Sequence, residues 1–230
     1  MRFLLIAGHG DGDPGAVKLG YKEADLTREL VELIKTALLP YGDVDIADKA
    51  KNWRKHICER GNYFNFSKYD YVLEVHFNSA AKDLDGNGRT TGTEIHVTRG
   101  EKYVSVEENI LDGISCLGFK NRGVKRTNFD LIYHIKNQGV SSALLEVCFL
   151  DDKDDVDLYM AKKAAVASAI AKGIAKGYKL KENTLRADCV ALADAGIINS
   201  PNYWAKGKGY SEENVVSLIR KFAAYIKKGE

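Results

Sequence analysis

The sequence predicts an α/β fold: a mostly parallel central sheet with helices on both faces, followed by a small C-terminal helical domain. Three observations carry this. Apolar runs of strand length recur at Phe3–Ala7, Tyr69–Val75 and Val140–Val147, and near-continuous apolar runs suit strands buried on both faces. Between them lie stretches whose apolar residues fall three and four apart, the spacing of helices. Beyond a boundary near 177–183 only helical spacing remains. The domains are therefore placed at 1–178 and 184–230.

The elements follow in order. Phe3 to Ala7 is a strand that stops at Gly8-His9-Gly10, where two glycines let the backbone turn sharply and leave His9 at the strand's carboxyl end. Leu26, Leu30, Leu33, Ile34 and Ala37 give the stretch from Glu23 to Leu39 an apolar helical stripe, stopped by Pro40 and Gly42. Val44 and Ile46 make a brief second strand, and Trp53 to Phe66 reads as a second helix. The strand from Tyr69 to Val75 ends at His76, repeating the opening pattern. A turn-rich segment from Asp83 to Gly92 leads to a short strand, Thr93–Val97. Val104 to Leu117 is a helix broken by Gly118 and Gly123. The strand from Val140 to Val147 carries a carboxylate, Glu146, near its end. Acidic residues from Asp151 to Asp157 open a helix that runs through the alanine-rich stretch to Ala175, where they suit the helix dipole. The last segment reads as a helical hairpin, Leu185–Ala195 and Glu212–Ile226, around a Gly-Ile-Ile-Asn-Ser-Pro turn.

Composition excludes several partners. With 34 basic and 32 acidic side chains the net charge is +2, so nothing asks for nucleic acid or an anionic membrane surface. The amino terminus lacks the longer apolar region of an export signal, and a membrane span needs roughly 20 apolar residues. The four cysteines, Cys58, Cys116, Cys148 and Cys189, form no C-x-x-C pair and read as reduced, mostly buried thiols.

Three strand ends carry His9, His76 and Glu146, and Glu23 opens the first helix. If these strands are parallel neighbours, all four side chains meet on one rim. Two imidazoles and a carboxylate with one position open make the donor set of a catalytic zinc site, and a carboxylate that does not bind the metal can move a proton. The alternative is that Glu74 and Glu146 are paired structural acids, although a glutamate inside A-L-L-E-V-C-F-L is costly without a partner.

G-H-G at 8–10, G-x-K-E at 20–23, V-H-F-N-S at 75–79, N-R-G-V-K at 121–125 and L-L-E-V-C-F-L at 144–150 together resemble the ordered motifs of the zinc-dependent N-acetylmuramoyl-L-alanine amidases of the amidase-3 family. The resemblance spans about residues 2–178. It implies that His9, Glu23 and His76 bind one catalytic Zn2+ and that Glu146 is the catalytic acid/base. The implied substrate is bacterial peptidoglycan, cut at the amide between N-acetylmuramic acid and L-alanine. Two departures stand out: Ile6-Ala7 precede G-H-G where the family usually has an aspartate and a small residue, and Cys148 and Asp151-Asp152 replace the usual residues after the glutamate. Asn78, two residues past His76, is a candidate substrate contact or else a turn-forming asparagine. A zinc peptidase cutting within the stem peptide and an inactive wall-binding module are the alternative readings.

Other patterns in the sequence have simpler local readings. Gly10 to Gly15 fits G-x-G-x-x-G by letter, but Asp11 and Asp13 would repel a pyrophosphate and Pro14 interrupts the helix start. Asp83, Asp85, Asn87 and Glu94 satisfy a Ca2+-loop pattern. The flanks there read as strands, and Asn87-Gly88 is a hairpin signal, so a turn is expected. His56, His96 and His134 have no partner motif and read as structural. Tyr203, Trp204 and Tyr210 beside the glycine-rich turn suit wall attachment, dimerisation or a small core. With no export signal, the expected setting is a phage or prophage endolysin held in the host cytoplasm until release onto the cell wall, or a self-lysis enzyme of a spore-forming mother cell.

Overall fold

The computed structural model describes residues 1–228. They form two compact units, one of 1–38 with 42–180 and one of 39–41 with the residues from Lys181 onward. The first unit is built on a six-stranded sheet. Its strands are β1 (Arg2–Ala7), β4 (Asp43–Ile46), β5 (Tyr71–Asn78), β6 (Thr93–Val97), β7 (Asn121–Arg126) and β8 (Ser141–Phe149), in the order β4-β1-β5-β8-β6-β7. β4, β1, β5 and β8 run parallel. β6 runs against β8, and β7 runs parallel to β6. A separate two-residue hairpin, β2 (Val17–Lys18) and β3 (Tyr21–Lys22), precedes the first helix.

The apolar runs form the inner strands for the expected reason: β1 is buried from Phe3 to Ala7 and β5 from Tyr71 to Val75. Their side chains alternate between two cores. Helices α1 (Glu23–Leu38), α2 (Ser105–Ser115) and α4 (Lys153–Gly177) pack together on one face, where Phe77 meets Tyr159 edge-on. On the other face, Leu4, Ile6 and Val72 pack with Trp53, Ile57 and Phe66, and with Leu131 and Ile135 of α3 (Asp130–Asn137). The Asp152 side chain caps α4 by accepting from the Asp155 N–H.

Several expectations are corrected. The helix expected over Trp53–Phe66 reduces to a short π-helical stretch, Lys55–Glu59. The chain leaves it at Gly61, whose φ of +66° is left-handed, and this lets Phe64 and Phe66 turn into the core beside Trp53. Asn87-Gly88 makes no hairpin, because β8 lies between β5 and β6. The stretch after Gly118 holds β7 and α3, which periodicity did not reveal. Two cysteines, Cys58 and Cys116, are exposed, so the thiols are only half buried as a group.

The second unit holds α5 (Thr184–Asp194), α6 (Pro201–Trp204) and α7 (Glu212–Lys228). Its core is Cys189, Ile197, Ile198 and Ala205, with Leu192, Trp204 and Leu218 against it. Asn183 ties this unit to its short 39–41 turn by donating from its N–H to the Pro40 carbonyl at 2.9 Å. Among the described residues no helix is long and apolar enough to cross a membrane.

Candidate metal centre and active site

The carboxyl ends of β1 and β5 bring two imidazoles together, with ring centroids 4.9 Å apart. His9 follows β1 with a φ of +62°, an uncommon conformation for a residue with a side chain. Gly8 before it is needed for closeness: a Cβ there would stand 2.3 Å from the His76 ring. Gly15 has the same function for the loop, since a Cβ there would stand 2.6 Å from both Glu23 Oε2 and the His9 ring.

Glu23, the first residue of α1, reaches between the histidines and is only 4% exposed. Its Oε2 lies 3.0 Å from His9 Nε2 and its Oε1 lies 3.0 Å from His76 Nδ1. Backbone N–H groups of Ala16 and Phe77 donate to the same two oxygens at 3.0 and 2.9 Å. Burial opposes ionisation of Glu23, but the adjoining His76 and His9 rings hold it well below the usual carboxylate range.

Glu146 is in register with His76 on the neighbouring strand, so both side chains leave the same face of the sheet. Its Oε2 is buried with no hydrogen-bond partner among the described residues. Burial pushes its pKa up to about 7, His76 opposes this, and Glu23, Glu94 and Glu74 add to it. A cavity of about 390 Å³ opens beside the histidines, lined by His9, Asp13, Trp53, Glu74, His76 and Phe129 among others.

The set fits a zinc ion. The donor atoms of His9, Glu23 and His76 all lie within 4.8 Å of one another, and ligands about 2.0–2.1 Å from a tetrahedral zinc stand roughly 3.3 Å apart. Two nitrogens and one oxygen are donors that zinc accepts. The two glycines where a Cβ would intrude, and the orphaned oxygen of Glu146, mark space kept beside these donors.

Asn78 lies next to the site, with Nδ2 donating to Glu94 Oε1 at 3.1 Å and Oδ1 accepting from the Ser79 N–H at 2.8 Å. Sequence reasoning placed Glu94 in a Ca2+-loop pattern and Arg122 in the N-R-G-V-K motif, but did not foresee that they pair. Glu94 sits opposite Glu146 across the antiparallel β6–β8 pair. It takes a hydrogen bond from Arg122 Nε at 2.8 Å, and the Arg122 guanidinium lies over the Phe149 ring. No local spacing signals this group, because the sheet order assembles it. The contacts of Asp13, 3.1 Å from His9 Nδ1, and of Glu74, 3.1 Å from His76 Nε2, were also missed; Glu74 was detectable as a carboxylate two residues before a strand histidine.

The calcium pattern comes apart in the structure. Asp83 groups with Asp152 and Asp154, whose oxygens accept backbone N–H groups of Thr91 and of Asn87, Gly88 and Arg89. Glu94 is committed to Arg122 and Asn78. The departure at Asp151-Asp152 has a structural use: Asp151 accepts from the Ala81 and Lys82 N–H groups while Asp152 caps α4.

The profile of the amidase-3 family, described as N-acetylmuramoyl-L-alanine amidase, matches residues 4–176. The endolysin of Bacillus phage SPP1 is 28% identical over 178 residues, which cover 75% of this chain and 63% of the endolysin. A sporulation-specific N-acetylmuramoyl-L-alanine amidase of Bacillus subtilis is 26% identical over 181 residues, covering 77% of this chain and 66% of that protein. The chain thus spans less than two thirds of the phage endolysin's length. In fold it is similar to the solved N-acetylmuramoyl-L-alanine amidase AmiC2 of Nostoc punctiforme, with a TM-score of 0.60 at 23% identity over 77% of this chain and 97% of that one. With its mostly parallel sheet, its rim of two histidines and two glutamates, and a profile match over most of its length, the chain belongs to the amidase-3 family of N-acetylmuramoyl-L-alanine amidases.

Proposed function

We propose that this chain is a zinc-dependent N-acetylmuramoyl-L-alanine amidase that lyses bacterial cell walls, as an endolysin or autolysin does. The observation that carries the reading is the buried, unpartnered Oε2 of Glu146, in register with His76 and beside the three-donor cluster, in a chain of this family. His9, Glu23 and His76 would hold the zinc. A zinc ion held there supplies Lewis acidity at the scissile carbonyl. Glu146 takes a proton from the attacking water as oxygen bonds to the carbonyl carbon, and returns it to the alanine nitrogen as the C–N bond breaks. The nitrogen therefore leaves as an amine instead of an amide anion. Asn78 is proposed to contact the substrate from the same rim, and the C-terminal helical unit, through Tyr203, Trp204 and Tyr210, to attach to the wall.

Purified peptidoglycan digested with and without a chelator, and read by mass spectrometry, tests this. The expected products are stem peptides beginning with L-alanine, abolished by chelation and restored by zinc. Cleavage inside the stem peptide would make the chain a peptidase, and intact walls retaining the protein would make it a recognition module.

A further inference from the structure

We infer that Asp13 and Glu74 are positioning residues: each holds one histidine in the tautomer and ring orientation that turns its lone pair toward the metal position. This rests on the zinc reading above. An imidazole binds a metal through one nitrogen, and the partner of the other nitrogen decides which one is available. The two histidines present opposite nitrogens to Glu23: His9 its Nε2 and His76 its Nδ1, each at 3.0 Å. In both rings the remaining nitrogen faces a carboxylate oxygen at 3.1 Å, Asp13 Oδ2 for Nδ1 of His9 and Glu74 Oε1 for Nε2 of His76.

A carboxylate is a pure acceptor when ionised, so it selects the tautomer that carries hydrogen on the nitrogen facing it. The lone pairs are then left on Nε2 of His9 and Nδ1 of His76. In the opposite tautomers those nitrogens would carry N–H groups that donate to Glu23 and block the donor positions. Both carboxylates are themselves placed for this task. Asp13 Oδ1 accepts from the Gly15 N–H at 3.0 Å, and Asn52 Nδ2 donates to Oδ2 at 3.0 Å, which fixes the loop between β1 and β2. Glu74 is 5% exposed, and the hydrogen bond from His76 is the one its side chain makes among the described residues. A buried carboxylate with a single partner is a costly way to fill a core position, so that partner is the reason for it.

The test is the zinc affinity of the full chain, by competition with a chelating indicator, for the wild type, Asp13→Ala, Glu74→Leu and Glu74→Gln. Loss of such outer partners typically weakens metal binding about 10- to 100-fold, and this loss is expected for Asp13→Ala and Glu74→Leu. The metal-free melting temperature is read alongside, because Glu74→Leu also takes the acceptor from His76 Nε2. A purely structural role predicts a lower melting temperature with unchanged affinity. Glu74→Gln keeps an acceptor and should recover much of the affinity that Leu loses. The inference is overturned if Glu74→Leu and Asp13→Ala bind zinc within about two-fold of the wild type, or if Gln is no better than Leu. A wild type that takes up no zinc overturns both this and the metal reading. Because affinity is read without turnover, failure to cleave peptidoglycan is a separate result.

Discussion

Two glutamates stand at opposite ends of the same sheet, Glu107 fully buried and Glu146 partly so, and desolvation pushes both up to a pKa of about 7. At the amino end, Glu107 in the first turn of α2 accepts a hydrogen bond from the Tyr71 hydroxyl at 2.8 Å, at the start of β5. At the carboxyl end, Glu146 stands beside His76 with one oxygen unpartnered. The environments desolvate the two carboxyls alike, so titration behaviour does not separate them. Partnership does. The amino-end group has a phenol to satisfy it, a structural solution to a buried acid. The carboxyl-end group has no such partner for its Oε2 among the described residues.

The sharpest way to break this contrast is to remove each group in turn. Glu146→Gln should lower peptidoglycan hydrolysis by roughly 10²- to 10⁴-fold, the usual span for a lost general base, while zinc content measured by atomic absorption stays at the wild-type level. His76→Ala should lose both. Normal turnover in Glu146→Gln would make the two ends equivalent and remove the proposed role.

Glu107→Gln should leave hydrolysis unchanged and alter stability instead. Its folded pKa is raised above the ordinary value of 4.5 to about 7, so the stabilisation it gives is fully present below pH 4.5 and is lost as pH rises through 7. Removing the charge should therefore raise stability above pH 7, by at most about 3 kcal/mol at 1.36 kcal/mol per pKa unit. Urea midpoints of both proteins at pH 5 and pH 8 measure this; a variant that tracks the wild type at both values would show that Glu107 is ionised without cost. The smallest effect is expected for Tyr71→Phe, which leaves Glu107 without its phenol partner. About 1–2 kcal/mol of stability should be lost, with no change in hydrolysis, as thermal denaturation alongside the digestion assay would show.

How much of this could be read beforehand follows from what local spacing encodes. β1, β5 and β8 were legible because strands buried on both faces leave unbroken apolar runs, and these runs ended on His9 and His76 and contained Glu146. α1 and α4 were legible from periodicity and acidic first turns. β7 was not, because Asn121–Arg126 is an edge strand rich in charge with no buried position. Trp53–Phe66 misled because its aromatic residues belong to one core without belonging to one helix face. The four residues proposed for the site were legible as strand ends and a helix start, and the structure brings them together. The Glu94–Arg122 pair beside them comes from β6 running against β8 and β7 lying beyond it, an adjacency that no interval along the chain records.

Gly8 has a consequence for anyone altering this scaffold. The position has no side chain, carries no charge and donates nothing to the site, yet what may stand there is decided by a ring on another strand, His76. A mutational survey scored by chemistry would rank it as inert filler; scored by volume, it belongs with the histidines. Designs that replace His76 with a smaller residue would release that restriction, so tolerance at position 8 is a report on which side chain occupies position 76.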